Sequence, residues 1–138
     1  MNDEPREDDV ATIDGIVKAF YEVISGPAGA PRQWKRDAAL YLPGARFTQV
    51  KPDNSIRVET KPEYIARVDH WLVTNGFYEY ETEREVQQYG KVAHVLSTYE
   101  SRQTKDGPLI GGGKNSIQLV HDGRRWWIAS AAWNSALQ

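Results

Sequence analysis

A change in the spacing of apolar residues divides this chain of 138 residues into two parts. From Phe77 onward, apolar and polar residues alternate with a period of two, as side chains do along a β-strand. Before Phe77 the apolar residues recur every three or four positions, which is the spacing on one face of an α-helix. Helices grouped before long antiparallel strands indicate an α+β layered fold rather than alternating βαβ units.

Turn signals divide the second part into four long strands. Gly90-Lys91 predicts a two-residue hairpin, because glycine adopts the positive φ that the first turn position needs. Asp122-Gly123 predicts a second tight turn. Gly111-Gly112-Gly113 is interpreted as a flexible hairpin connection, since it lacks the helix and the Gly-Lys-Ser/Thr ending of a phosphate-binding loop. The predicted strands are residues 77–89, 92–104, 114–120 and 125–133.

The first part predicts three helices and two short strands. Asp8 or Asp9 is expected to cap the first helix. Pro31 is expected at the first position of a short second helix, where its missing N–H costs nothing. Thr60 and Glu63 form a capping box at the start of the third helix, because each side chain can accept from a free backbone N–H. The predicted short strands are residues 45–50 and 56–59.

The domain boundaries follow from composition. Residues 1–7 are acidic and nearly free of apolar groups, which predicts a disordered tail. Residues 8–138 are then expected to form a single domain, and a chain of this length can build an adequate hydrophobic core without disulfide bonds or structural metals. This acidic, polar start differs from a signal peptide, which begins with basic residues followed by an apolar stretch. No apolar run approaches the ~20 residues that span a bilayer.

Composition also excludes several classes of site. The chain contains no cysteine, so it has neither a disulfide framework nor a thiolate metal site. No two histidines share metal-ligand spacing with a carboxylate. The formal net charge is −2 and the basic residues are scattered, unlike the basic stripe of a nucleic-acid-binding protein. We therefore expect a cytoplasmic protein with no metal, no cofactor, no nucleic-acid partner and no membrane partner.

The first predicted hairpin sorts its side chains onto two faces. With Tyr89 opposite Val92, the pairing places Glu81 opposite Glu100. The more apolar face is expected to lie toward the helices. The other face is expected to be a charged, solvated outer surface, and it carries Glu79, Glu81, Glu83, Glu85, His94, Leu96, Thr98, Glu100 and Arg102. The alternative is that Glu100 and Arg102 lie at a pocket mouth or dimer seam, where burial of the opposed carboxylates Glu81 and Glu100 would raise the pKa of one of them.

The second predicted hairpin indicates that both faces of the sheet are covered. Its pairing places Ile117 opposite Ile128 on one face and Gln118 opposite Trp127 on the other, so both faces are only half polar. In a sheet with one fully solvent-exposed face, apolar and polar residues would alternate more regularly along each strand. We therefore expect helices on one face and a second copy of the chain on the other, in a homodimer. The alternative is that Trp127 is a single exposed aromatic residue.

Two segments of the second part carry a resemblance to a known family. The first is Val92-Ala93-His94-Val95-Leu96-Ser97-Thr98-Tyr99, whose start together with the preceding Gly90-Lys91 reads Gly-x-Val-Ala. The second is the ending Asp122-Gly123-Arg124-Arg125-Trp126-Trp127-Ile128. Together with the order of elements from Val10 to Trp133, they resemble the nuclear transport factor 2-like superfamily, which includes ketosteroid isomerases, scytalone dehydratase and SnoaL-like cyclases. The resemblance implies a cystatin-like cone, in which three N-terminal helices pack on a strongly curved sheet around a pocket. It also implies a dimer through the open sheet face.

The catalytic groups of that superfamily have no clear match in this chain. The isomerases place a general-base Asp near the end of the first strand, where this chain has Thr48-Gln49-Val50-Lys51-Pro52. They place a protonated Asp in a later strand, where this chain offers Asn115 and Gln118. The dehydratase uses a pair of His residues, and here Phe77-Tyr78-Glu79 and a single His94 occupy that region. The catalytic residues therefore stay open.

An aromatic pocket is the expected site for a small ligand, because such sites are mostly apolar with a few polar groups. The chain has five Trp and seven Tyr, and Asn115 and Tyr99 are the preferred polar members. The pocket candidates are Tyr21, Trp34, Phe47, Trp71, Tyr99, Asn115 and Trp133. We expect the pocket to bind a small apolar or aromatic ligand. The alternatives are a non-catalytic dimeric module whose pocket is filled by Trp and Tyr, and a cofactor-independent isomerase, dehydratase or cyclase.

Overall fold

A computed structural model describes residues 6–134 of the chain. The helices are α1 (Glu7–Val10), α2 (Ile13–Glu22), α3 (Trp34–Ala38) and α4 (Lys61–Asn75). The strands are β1 (Tyr41–Val50), β2 (Ile56–Glu59), β3 (Tyr78–Tyr89), β4 (Val92–Arg102), β5 (Leu109–His121) and β6 (Trp126–Asn134). Helices precede the long strands, so the predicted α+β class is confirmed.

All six strands belong to one mixed sheet. Its order is β2-β1-β6-β5-β4-β3, so β2 and β3 are the edges. Strands β1 and β6 are parallel, and every other neighbouring pair is antiparallel. The helices lie against one face, where residues such as Val17, Ile117 and Leu119 are fully buried. None of the helices in residues 6–134 has both the length and the apolar character needed to cross a bilayer.

The N-terminal helix is divided, which differs from the prediction. Thr12, rather than Asp8 or Asp9, caps the long helix α2, and its side chain accepts from the Gly15 N–H at 2.9 Å. Asp9 is instead buried and lies 2.7 Å from Arg36. Glu7, the last residue of the predicted tail, begins α1, and residues 1–5 of that tail lie outside the described residues.

Two further predictions are wrong in detail. Pro31 does not begin the second helix, because α3 starts at Trp34. Gly111-Gly112-Gly113 is not a flexible connection but part of strand β5, where Gly111 pairs with Ser101 and Gly113 with Tyr99 of β4. A run of glycines is compatible with a strand when the neighbouring strands hold it by backbone hydrogen bonds.

A β-bulge in β3 changes which face its acidic residues occupy. The predicted pairing holds from Tyr89 opposite Val92 as far as Glu83 opposite Thr98, but Glu81 then pairs with Tyr99. Thr82 is the extra residue. One extra residue moves every following side chain to the other face of the strand. The prediction that Glu79 and Glu81 lie on the charged outer face is therefore wrong, and both lie on the helix side.

The second hairpin has a longer turn than predicted. Residues 122–125 connect β5 and β6, with the Asp122 N–H donating to the Arg125 carbonyl at 3.1 Å. Leu119 rather than Ile117 therefore pairs with Ile128, and a register irregularity follows. The partner of Ile128 differs from the predicted one by two residues, and an even shift in pairing does not change the face of a side chain. Ile117, Leu119 and Ile128 therefore lie on the buried face that the alternation predicted.

Candidate functional site

A cavity of about 200 Å³ lies between the helices and the inner face of the sheet. Helices α2, α3 and α4 supply one side, and strands β1, β3, β4, β5 and β6 supply the other. Its lining residues are Phe20, Ile24, Asp37, Tyr41, Phe47, Gln49, Lys61, Tyr64, Arg67, Val68, Glu79, Tyr99, Asn115 and Trp133. The lining combines several aromatic rings with four acidic or basic side chains at least partly shielded from solvent, Asp37, Lys61, Arg67 and Glu79.

Four of the seven pocket candidates line the cavity, and three do not. The cavity lining includes Phe47, Tyr99, Asn115 and Trp133. Tyr21 lies behind the lining, where its hydroxyl accepts from Asn115 Nδ2 at 3.1 Å. Trp34 is not among the lining residues, and its indole N–H donates to Asp69 at 2.7 Å. Trp71 is 45% exposed and lines two hollows that adjoin the cavity.

Asp37 is a completely buried carboxylate in the cavity wall. Its Oδ2 lies 2.8 Å from Lys61 Nζ, yet neither oxygen receives a hydrogen bond of good geometry from residues 6–134. Burial raises the pKa of Asp37 and lowers the pKa of Lys61, while the attraction between the two charges opposes both shifts. The contact is therefore a buried ion pair that leaves part of the acceptor capacity of the carboxylate unused.

Three aromatic rings surround the Lys61 ammonium. Its Nζ lies 4.3 Å from the ring centre of Tyr41, 4.4 Å from that of Phe47 and 4.7 Å from that of Tyr64. The negative faces of such rings attract a cation. These contacts and Asp37 hold a buried positive charge at the first residue of α4.

The sequence contained a signal for Asp37 that the prediction missed. Asp37 follows Trp34 by three positions and precedes Tyr41 by four, so it occupies the inner stripe of its helix. A carboxylate on an apolar stripe indicates either a buried partner or a site. Lys61 lies next to the capping residue Thr60, and nothing in its neighbourhood marked it as buried.

The bulge places Glu79 in the cavity wall. Its Oε2 accepts from the Ser101 hydroxyl at 2.9 Å. Burial raises the pKa of Glu79 from 4.5 to about 7, and the Ser101 hydrogen bond only partly opposes this effect. A carboxyl group with this pKa can accept and donate a proton at neutral pH. Sequence reasoning missed Glu79 because strict alternation assigned it to the outer face.

A chain of hydrogen bonds fixes the orientation of Asn115. The Ser97 hydroxyl donates to Glu81 Oε2 at 2.6 Å, and Glu81 also binds Arg84. Since Ser97 has one hydroxyl proton, the 2.7 Å contact between Tyr21 and Ser97 must be donated by Tyr21. Tyr21 in turn accepts from Asn115 Nδ2. The Asn115 amide nitrogen therefore donates to this series of hydrogen bonds, and Asn115 Oδ1 is left as an acceptor.

Tyrosine hydroxyls complete the polar lining as donors. Burial raises the pKa of Tyr99 to about 12, with a further contribution from the negative charge of Glu79. Burial also raises the pKa of Tyr64. Both phenols therefore stay protonated at neutral pH. Tyr99 and Glu79 together offer a ligand one fixed donor and one group that titrates.

Similar proteins are found by structure and not by sequence. No model of a known protein family matches the chain, and no curated protein matches it significantly. A protein of unknown function with a cystatin-like fold from Nostoc punctiforme matches with a TM-score of 0.65 and 11% identity, over 91% of this chain and 93% of that one. An NTF2-like protein of unknown function from Shewanella baltica matches with a TM-score of 0.55 and 10% identity, over 88% and 86% of the two chains.

One similar structure carries an enzyme name. A putative scytalone dehydratase from Novosphingobium aromaticivorans matches with a TM-score of 0.60 and 14% identity, over 87% of this chain and 76% of that one. Likeness at this level of identity establishes the fold and leaves the chemistry to the residues in the cavity. The resemblance noted in the sequence is confirmed at the level of fold, and the chain has the cystatin-like α+β fold of the NTF2-like proteins.

Proposed function

We propose that the cavity binds a small aromatic molecule that carries a hydrogen-bond donor, such as a hydroxyl or an N–H group. The supporting observation is Asp37, a fully buried carboxylate at the cavity wall that has an ion pair with Lys61 at 2.8 Å but accepts no hydrogen bond of good geometry from the described residues. A buried carboxylate with unused acceptor capacity costs free energy. A ligand donor that reaches Asp37 would remove part of that cost.

The other lining residues favour an aromatic ligand. The rings of Phe47 and Tyr64 lie 5.7 Å apart, and those of Tyr64 and Trp133 lie 6.4 Å apart in an edge-to-face arrangement. Such rings contact another ring favourably. Asn115 Oδ1 offers a second acceptor on the opposite, sheet side of the cavity. A mostly apolar lining with few oriented polar groups is the usual form of a small-ligand site.

Two probes that differ only in their donor test this proposal. We expect 2-naphthol to quench Trp fluorescence on binding and to bind about tenfold or more tightly than 2-methoxynaphthalene, whose donor is capped. Asp37→Asn should reduce this preference, because the carboxylate becomes an amide. Asp106→Asn, at an exposed loop position, is the matched control and should leave the preference unchanged. Equal affinity of the wild-type chain for the two probes would contradict the proposal.

A second candidate function is cofactor-independent acid–base catalysis, and Glu79 favours it. Its carboxyl group lines the cavity, and its pKa of about 7 suits proton abstraction from a carbon beside a carbonyl group. Deuterium uptake by 2-tetralone in D₂O, followed by NMR, tests this candidate. The wild-type chain should accelerate uptake and Glu79→Gln should not, while Glu83→Gln on the outer face should behave as wild type. Uptake at the uncatalysed rate in all three would exclude this reaction.

We further propose that the outer sheet face forms a homodimer. Leu96 of β4 and Val120 of β5 lie half-buried on that face, which leaves apolar area for a partner to cover. Trp127 is less informative, because it donates to Asp122 at 2.8 Å and stacks 3.6 Å from the Arg125 guanidinium within one chain. Sedimentation at micromolar concentration distinguishes the dimer from a monomer.

A further inference from the structure

The cavity continues into two hollows beside it, of about 360 Å³ and about 320 Å³. Glu79 lines all three spaces. Tyr99 and Trp133 are shared by the cavity and the larger hollow, and Trp71 and Phe77 are shared by the two hollows. The three spaces therefore adjoin one another, and they share part of their walls. We call the larger one the glycine hollow, because Gly111 and Gly112 form part of its wall.

Missing side chains on β5 create the glycine hollow. Gly111 pairs with Ser101 and Gly113 pairs with Tyr99, so both glycines face the cavity side of the sheet. A Cβ atom at Gly111 would meet nothing closer than the Ser101 side chain, at 3.8 Å. There is thus room for a side chain at Gly111, and its absence leaves open space. Glycine within a strand often marks a place where a ligand approaches the backbone.

Gly113 shapes the same wall in another way. A Cβ atom at this position would lie 3.1 Å from the Tyr99 hydroxyl and 3.4 Å from its ring. The Tyr99 ring therefore lies directly over the bare backbone of β5. In this position the ring forms part of the wall of both the cavity and the glycine hollow.

The rest of the hollow combines large apolar side chains with the polar groups of Glu79, Ser101 and Gln103, and it is open to solvent. Trp71 is 45% exposed and Ile110 is 40% exposed. The Trp71 and Phe77 rings lie 6.1 Å apart in an edge-to-face arrangement. Trp133 forms the boundary toward the inner cavity. An exposed group of large apolar side chains beside a cavity is typical of a binding site.

We infer that the ligand is an elongated aromatic molecule whose polar ring occupies the inner cavity and whose second, apolar ring occupies the glycine hollow. The second ring lies against the backbone of Gly111 and Gly112, between Trp71 and Trp133. This inference rests on the proposed ligand binding in the cavity and adds the length and shape of the ligand. Burying a second ring adds apolar contact area without requiring any further polar group.

Phenol and 4-phenylphenol test the inference, because they share a hydroxylated ring and differ by a second ring. We expect the wild-type chain to bind 4-phenylphenol at least about tenfold more tightly than phenol. Gly111→Leu should fill the hollow, remove most of this preference and leave phenol binding unchanged. Gly111→Ala should reduce the preference less. Lys114→Leu places the same side chain on the other face of β5 and should change neither affinity.

The possible outcomes separate this inference from the proposed function. If neither phenol nor 4-phenylphenol binds, the proposed function fails. If both bind with equal affinity, the proposed function stands and the inference is overturned. A preference that survives in a folded Gly111→Leu chain also overturns it, and thermal unfolding of that variant shows whether it is folded.

Discussion

Replacing Lys61 by methionine is expected to lower the free energy of unfolding by about 3–5 kcal/mol. The change removes the cation that lies 2.8 Å from Asp37 and leaves a completely buried carboxylate without compensation. Methionine keeps most of the length and apolar surface of the lysine stem, so the loss reports mainly on charge. Chemical denaturation at neutral pH, compared with the wild-type chain, measures the effect.

Two further variants isolate the contribution of the buried pair. Asp37→Asn combined with Lys61→Met removes both charges and should recover most of the lost free energy. Lys18→Met breaks a surface pair with Glu22, in which the Lys18 side chain is 76% exposed, and should change the free energy of unfolding by less than about 1 kcal/mol. If Lys61→Met costs no more than Lys18→Met, Asp37 does not carry a charge in the folded chain.

Replacing Glu79 by glutamine is expected to change how stability depends on pH. In the wild-type chain the folded state holds the Glu79 proton up to about pH 7, whereas the unfolded chain releases it near pH 4.5. Between these values the folded state binds more protons than the unfolded state, so the free energy of unfolding falls as pH rises. The fall amounts to at most about 3 kcal/mol and is complete above pH 7.

Glu79→Gln removes this contribution. Glutamine does not titrate, and it can still accept from the Ser101 hydroxyl. Relative to wild type, the variant should therefore gain stability as pH rises from 4.5 to above 7. Glu83→Gln, on the exposed outer face of the same strand, is the matched control and should follow the wild-type curve. Parallel curves for Glu79→Gln and wild type would show that the pKa of Glu79 is not raised.

Two features with local causes were predicted correctly from the sequence. The capping box at Thr60 is present, with the Glu63 carboxylate accepting from the Thr60 N–H at 2.9 Å. Gly90 adopts a positive φ of 56° in the two-residue hairpin. Each of these depends on side chains and backbone groups only a few residues apart. The order of helices and strands, and with it the fold class, followed from such local signals.

Features that depend on pairing between strands were not predictable in the same way. Nothing in the alternating residue pattern of β3 marks a bulge at Thr82, yet the bulge orients Glu79 toward the cavity. The pairing of Gly111-Gly112-Gly113 with β4 likewise overrides the loop preference of glycine. The predicted candidate site therefore contained aromatic residues and Asn115 but lacked the acidic and basic lining residues Asp37, Lys61, Arg67 and Glu79.

The bulge in β3 has a consequence for how chains with the same residues in this strand can differ. With Thr82 outside the regular pairing, Glu79 faces the interior and Tyr80 faces outward. If Thr82 paired regularly with Tyr99 instead, alternation would turn Glu79 outward and Tyr80 inward with every amino acid unchanged. The local pairing of an edge strand, rather than the identity of any side chain, therefore determines whether a carboxyl group lies in the cavity wall.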